Sequence, residues 1–119
     1  MASARFALVE MLVKTEPGFP HTPIAKIPLQ NGMFAFCDPK WLYAFSFVHW
    51  YAKKSRGVWY VCTKVSFEGK IRFRRMHRIV AHTPDGYVPH HLNGNSLDNR
   101  EKNLLNITDF VHRKYFSYW

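Results

Sequence analysis

The residues best suited to chemistry lie in the last third of the chain, where His90 and His91 are adjacent and His112 follows after enough sequence for a turn and a second strand. An imidazole, with an unperturbed pKa near ~6.5, is mostly neutral at pH 7 and is able either to ligate a divalent cation or to take a proton from water. Hydrolysis of a phosphodiester needs both functions: a base to activate water, and a cation to neutralise charge on the phosphoryl oxygens and the leaving group. Consecutive strand residues point to opposite sides, so His90 and His91 are not expected to ligate the same ion. One would bind metal and the other would act as base. Both would reach one phosphate only from a twisted or bulged strand end.

Those side chains need elements to position them. Pro84-Asp85-Gly86 is a turn signal, Tyr87 to Leu92 is strand-like, and Asn93-Gly94-Asn95 predicts a tight turn. The run Asp98 to Glu101 continues a polar loop, Leu104 to Ile107 reads as a second strand, and Thr108 or Asp109 caps a helix running to about Tyr118. On that helix His112, Tyr115, Phe116 and Trp119 recur at i, i+3, i+4 and i+7. They share the face that must pack on the strands, which aims His112 at the sheet carrying His90 and His91. A lone histidine on an apolar helical face is more often a core residue, but three converging histidines point to a metal site. Pro89, lacking an N–H, suggests an edge strand. His77 and His82 are read as structural or surface residues, as are His21 and His49.

The charge lies elsewhere. The 119 residues hold 17 Lys and Arg against 8 Asp and Glu, a net charge of +9. Between residues 51 and 80, nine cations face Glu68 alone, a net +8, whereas residues 81–119 carry four of each sign. A polyanion such as nucleic acid is the natural partner for so one-sided a segment. It reads as a β-hairpin: Val58 to Phe67 is dense in β-branched and aromatic residues, Glu68-Gly69-Lys70 turns the chain, and Ile71 and Phe73 alternate with Arg72 and Arg74. A two-stranded ribbon of this kind fits a DNA groove or follows a phosphate backbone.

The length suits one domain and excludes large cofactor folds, while 47% hydrophobic and 17% aromatic content exclude a disordered basic tail. Pro17, Pro20, Pro23 and Pro28 make residues 15–28 extended and irregular, with Ile27 to Leu29 an edge strand and Met33 to Phe36 a short strand. Asp38 as N-cap and Pro39 at the first turn start a helix through about Phe47. Trp41, Tyr43, Phe45, Phe47, Trp50 and Tyr51 are expected to fill the core. Cys37 and Cys62 lie far apart without a CxxC pair and predict free thiols. The apolar stretch Phe6 to Val13, broken by Glu10, makes a poor signal peptide and is too short to span a bilayer, so no membrane partner and an intracellular location are expected.

The stretch from His77-Arg78 through His112 resembles the HNH endonuclease family, on His91, Asn103 and His112 as the motif letters, with His90 where the family has an acid or a His, and on the run Asn93 to Leu104. That run is similar to the loop of the homing and phage branch, and Ile27-Pro28-Leu29, Trp50-Tyr51 and the basic hairpin resemble N-terminal regions found there, so the likeness covers roughly residues 27–116. It implies an α+β fold: residues 1–22 of unassigned role, a small basic β-rich part over 23–87 that holds DNA, and a C-terminal ββα-metal (HNH) motif over 88–119. It implies that His91 is the general base, that Asn103 holds His91 in its productive orientation, and that His90 and His112 bind one divalent metal ion, Mg, Mn, Zn or Ni. A histidine at position 90 favours Zn, Ni or Mn more than a carboxylate would. Double-stranded DNA would be held by Lys64, Lys70, Arg72, Arg74, Arg75 and Arg78 of the hairpin, with Arg113 and Lys114 touching phosphates. The expected activity is DNA cleavage to 5′-phosphate and 3′-hydroxyl ends by a cytoplasmic, bacterial or phage-encoded nicking, homing or restriction enzyme. A monomer would nick one strand, and a homodimer would be needed to cut both in one visit. The competing expectations are a non-catalytic DNA-binding module with a structural or degenerate metal site, and a ribonuclease of the same chemistry.

Overall fold

Two tight turns fold the middle of the chain into a three-stranded antiparallel sheet in the computed structural model, which describes residues 24–115. Strands β3 (Tyr51–Ser55), β4 (Val58–Phe67) and β5 (Lys70–Arg75) are joined by Arg56-Gly57 and Glu68-Gly69. All four turn residues have positive φ, 51° and 81° in the first pair and 51° and 74° in the second. Paired positive values belong to the two-residue turn whose twist matches that of the flanking strands, and glycine at the second position enters it without a Cβ clash. The turns fix the register, with Lys53 opposite Tyr60, Lys64 opposite Phe73, and Val65 opposite Arg72.

β1 (Ala25–Pro28) and β2 (Phe34–Cys37) form a second, two-stranded antiparallel sheet. Their alternate residues Ala25, Ile27, Ala35 and Cys37 are buried with Phe45, Trp50, Val61, Met76 and Val80 in one core. Two short helices, α1 (Leu42–Phe45) and α2 (Met76–Val80), contribute to it. The Gln30 amide accepts from the Ala52 N–H at 2.8 Å and donates to the Ala52 carbonyl at 2.6 Å, standing in for a strand neighbour on β3. Cys37 and Cys62 are free and buried, and burial beside Asp38 pushes the Cys37 thiol up to about 12, so it behaves as a small apolar residue.

The third sheet pairs β6 (Tyr87–His91) with β7 (Leu104–Thr108), and α3 (Asp109–Tyr115) follows directly and touches both strands. Asn106 of β7 donates to the Ala81 carbonyl and accepts from the Thr83 hydroxyl, both at 2.8 Å, which fastens this hairpin to the end of α2. The Thr108 hydroxyl accepts from the Val111 N–H at 3.2 Å, so Thr108 supplies the start signal of α3.

The expected α+β division with a C-terminal ββα-metal motif is overturned. Strand accounts for 45% of the described residues against 27% helix, and the one helix longer than five residues, α3, lies at their C-terminal end. A ββα-metal arrangement needs several ligands closing on one point, and no three of His, Cys, Asp or Glu converge in that way among the described residues. The chain is instead mostly antiparallel β, because its β-branched and aromatic runs meet glycine turns too soon for helices to grow. The segment 1–22 lies outside the described residues, as do Phe116 and Trp119 of the predicted helical face.

Smaller corrections have equally local causes. Phe45 and Trp50 are buried as expected, but Tyr43 and Phe47 are exposed and pack edge to face on each other. The predicted helix after Asp38 breaks into a 3-10 turn, Pro39–Trp41, and the single turn of α1. Asp38 makes no side-chain cap there; its carboxylate accepts from the Glu101 N–H at 2.8 Å, capping the 3-10 turn Glu101–Asn103 far along the chain. Among the described residues no helix is long and apolar enough to cross a membrane.

Candidate active site

A cleft of about 530 Å³ opens where β6 ends, between the β3–β4 turn, α2 and α3. His77, His90, His91 and His112 line it together with Arg56, Arg75, Arg78 and Arg113. His90 and His91 lie at the last two positions of an edge strand, and both border the same cleft although they leave β6 on opposite sides. His90 faces α3, its ring 6.2 Å from that of His112, while His91 faces α2, its ring stacked on that of His77 at 5.2 Å with planes 9° apart. The three histidines singled out in the sequence thus border one cleft, but as two separate pairs, His90 with His112 and His91 with His77, and not as three groups closing on one point.

His91 is buried, and its Nε2 lies 2.8 Å from Asn99 Oδ1. The amide oxygen can only accept, so Nε2 carries the proton and Nδ1 keeps the lone pair of a neutral imidazole. Burial lowers the His91 pKa, partly opposed by the Asn99 hydrogen bond and the Asp98 carboxylate. A ring held neutral in one tautomer is what a general base requires.

Asn99, not Asn103, makes this hydrogen bond. Asn103 is used within the 92–103 loop: its Oδ1 accepts from the Asn93 N–H at 2.9 Å, and its Nδ2 donates to Asn93 Oδ1 at 2.9 Å and to the Asp98 carbonyl at 2.8 Å. Buried Asp98 binds Arg100 through two hydrogen bonds of 2.8 Å and accepts a third from Asn93 Nδ2 at 2.8 Å. The loop is then fixed to β2, where Phe36 N–H donates to the Leu97 carbonyl at 2.8 Å and Asn99 N–H donates to the Phe36 carbonyl at 2.7 Å. Ser96 adds a hydrogen bond from its hydroxyl to the Trp59 carbonyl. Asn103 thus reaches His91 only through the loop that carries Asn99. Asn99 Nδ2 is buried and finds no hydrogen-bond partner among the described residues, a cost that persists only where the surrounding loop dictates the side-chain position.

If His91 is the base, His90 and His112, whose rings approach each other at 6.2 Å, are the pair placed to hold an ion. Burial lowers both pKa values; proximity of His112 lowers His90 further, and Asp109 partly opposes the shift at His112. Two neutral imidazoles suit Zn, Ni or Mn better than Mg, which prefers oxygen ligands. With two protein ligands, an ion there would keep positions open for water and phosphate, as hydrolytic sites do and closed structural sites do not.

His77, expected in a structural role, packs as such and also lines the cleft. It is buried between the Tyr60 and His91 rings, at 5.6 Å and 5.2 Å, and its pKa is pushed well below the ordinary value by burial, then by His91, Arg75 and Arg78. Arg56, in the Arg-Gly turn between β3 and β4, lines the cleft although it was not among the cations expected to hold DNA. Of the predicted DNA-holding cations, Arg75, Arg78 and Arg113 line the cleft, and Arg75 lies over the Tyr60 ring at 4.3 Å. Arg113 also pairs with Asp109 at 3.5 Å, and Lys114 lies over the Phe110 and Tyr115 rings. Lys64, Lys70, Arg72 and Arg74 extend along the exposed ribbon instead, outside the cleft. Comparison with protein-family models, with curated proteins and with solved structures finds no match to this chain.

Proposed function

We propose that this protein is a metal-dependent DNA endonuclease of the HNH type, hydrolysing phosphodiester bonds to 5′-phosphate and 3′-hydroxyl ends. The observation that carries the reading is the single cleft in which two facing imidazoles, His90 and His112, adjoin an oriented imidazole, His91, inside a rim of Arg56, Arg75, Arg78 and Arg113. The arginines neutralise the phosphate on either side of the scissile bond and draw the strand in. His91 takes the proton from water through Nδ1, while Asn99 holds Nε2–H and keeps the ring from turning. His77 covers one face of His91 and limits its rotation. His90 and His112 would hold the divalent ion, which supplies Lewis-acid stabilisation of phosphoryl charge when bound.

Relaxation of supercoiled plasmid tests the proposal. Nicking is expected with Mn, Zn or Ni, none in chelator, and none by His91→Ala under any ion. Equal cleavage by His91→Ala, or no cleavage under any ion, overturns it. RNA offered in competition separates deoxyribonuclease from ribonuclease activity. Full-strength DNA binding without nicking would favour a non-catalytic module.

A further inference from the structure

From Lys64 to Arg74 every residue of the β4–β5 ribbon is exposed, so its outer half projects from the body with neither face covered by the described chain. Such a projection would normally be polar. Here Val65, Phe67, Ile71 and Phe73 are 40%, 69%, 67% and 54% exposed, far more apolar surface than a solvated hairpin needs. The register divides them. Val65 and Phe67 share one face with Lys70, Arg72 and Arg74, while Ile71 and Phe73 share the other with Lys64. Lys53 and Lys64 both reach over the Phe73 ring, at 4.5 and 5.7 Å, so cations flank the apolar groups on this face too.

That distribution discriminates between partners. A ribbon lying flat on a phosphate backbone needs cations on one face only. A second copy of the chain would bring like charges together across the apolar groups, and such juxtaposition costs several kcal/mol. A groove has two phosphate walls, and the major groove of B-DNA, about 12 Å wide, admits a two-stranded ribbon. Glu68, the one anion of the ribbon, lies at its tip in the Glu68-Gly69 turn, so a ribbon entering a groove tip first would hold it away from the walls and near the base edges.

The geometry points to a groove-reading element: the β4–β5 ribbon enters the major groove of duplex DNA, its cations meeting a phosphate wall on each side and Phe67 and Ile71 touching base edges at the tip. This rests on the DNA reading above and adds to it where the duplex is gripped and that sequence preference resides outside the cleft. Apolar contact with thymine methyl groups and carboxylate acceptance from cytosine amino groups are the chemistries the tip offers.

The test is footprinting of the full chain, in chelator to prevent cutting, on a long duplex that contains its mapped cleavage site. Dimethyl sulfate reports guanine N7 in the major groove and adenine N3 in the minor groove, and hydroxyl radical reports the backbone. Protection of N7 beside the cleavage site is expected, together with about tenfold weaker binding and loss of that protection in the double variant Phe67→Ser, Ile71→Ser. Both positions are exposed, so an unchanged circular dichroism spectrum is expected of the variant. A backbone footprint without N7 protection, protection at adenine N3 instead, or unchanged affinity of the variant overturns the inference and leaves the endonuclease reading intact. Sedimentation showing a dimer that the double variant abolishes also overturns it, in favour of a second copy as occupant. Absence of both cleavage and any footprint overturns the endonuclease reading itself.

Discussion

His77 and His91 come from α2 and β6 and stack nearly parallel, ring centroids 5.2 Å apart, both buried at the cleft that Arg75 and Arg78 also line. Neither accepts a proton easily in the folded state, and both have pKa values below the ordinary histidine value. In the unfolded chain each returns to about 6.5, so below that pH the unfolded state binds more protons and folding weakens. Stability is therefore full above about pH 6.5 and falls as the solution is acidified through the window beneath it. Each such histidine adds a slope approaching about 1.4 kcal/mol per pH unit. Thermal unfolding followed by circular dichroism is expected to show this fall between pH 7 and 5. His77→Phe, which keeps an aromatic ring against His91 and cannot titrate, is expected to reduce the slope by close to one proton; an unchanged slope would refute the assignment.

Under the endonuclease reading, the two asparagines of the loop should separate activity from stability. Asn99→Ala removes the acceptor from His91 Nε2, and loss of an orienting partner of this kind typically lowers activity about 10- to 100-fold. Asn103→Ala leaves that hydrogen bond in place but deletes three others that hold the 92–103 loop, at a cost of about 2–3 kcal/mol of folding stability. Nicking rates and urea unfolding measured on both variants should divide accordingly. A larger activity loss in a fully folded Asn103→Ala would return the orienting role to Asn103.

The basic hairpin was legible because period-two alternation and a glycine turn are local signals, and Val58 to Phe67 folds as β4 within the predicted bounds. β3 was not read as a strand, because Tyr51–Ser55 is short and holds two lysines, and its pairing depends on β4 and on the Gln30 amide rather than on its own residues. The approach of His112 to His90 agrees with the helical spacing, but Tyr115 of the same predicted face is 62% exposed, so that face does not pack on the strands as expected. The choice of Asn99 over Asn103 could not be read from the sequence, since it is decided by the attachment of residues 97–99 to β2, a contact between segments some sixty positions apart. Tyr43 and Phe47 misled for a related reason: clustered aromatics suggest a core, but a single helical turn offers the core too narrow a face to bury all of them.

Cations of the ribbon and of the cleft are expected to differ in function though not in charge. Arg72, on the ribbon, and Arg78, in the cleft, each contribute one phosphate contact under the endonuclease reading, so Arg72→Gln and Arg78→Gln should each lower the slope of log affinity against log salt by about 0.9. Only Arg78→Gln should also reduce the cleavage rate of DNA already bound, since Arg78 alone of the two lines the cleft with His77 and His91. Fluorescence anisotropy across a salt series and single-turnover nicking measure the two effects separately. Equal rate losses would mean that the ribbon and the cleft are not distinct.

If His90 and His112 hold the ion as proposed, position 90 should set which ion is preferred. His90 and His112 offer two neutral nitrogens and no carboxylate, a donor set suited to Zn, Ni or Mn, whereas Mg is retained by oxygen ligands. His90→Asp replaces one nitrogen with a hard, charged oxygen while leaving His91, Asn99 and the loop hydrogen bonds untouched. The ratio of nicking in Mg to nicking in Ni is therefore expected to rise by about tenfold or more in His90→Asp, and Ni affinity measured by calorimetry is expected to fall. His112→Ala should lower Ni affinity as well but cannot raise the Mg ratio, because it removes a ligand without supplying an oxygen. A His90→Asp variant with an unchanged ion preference would mean that His90 borders the cleft without serving as a ligand.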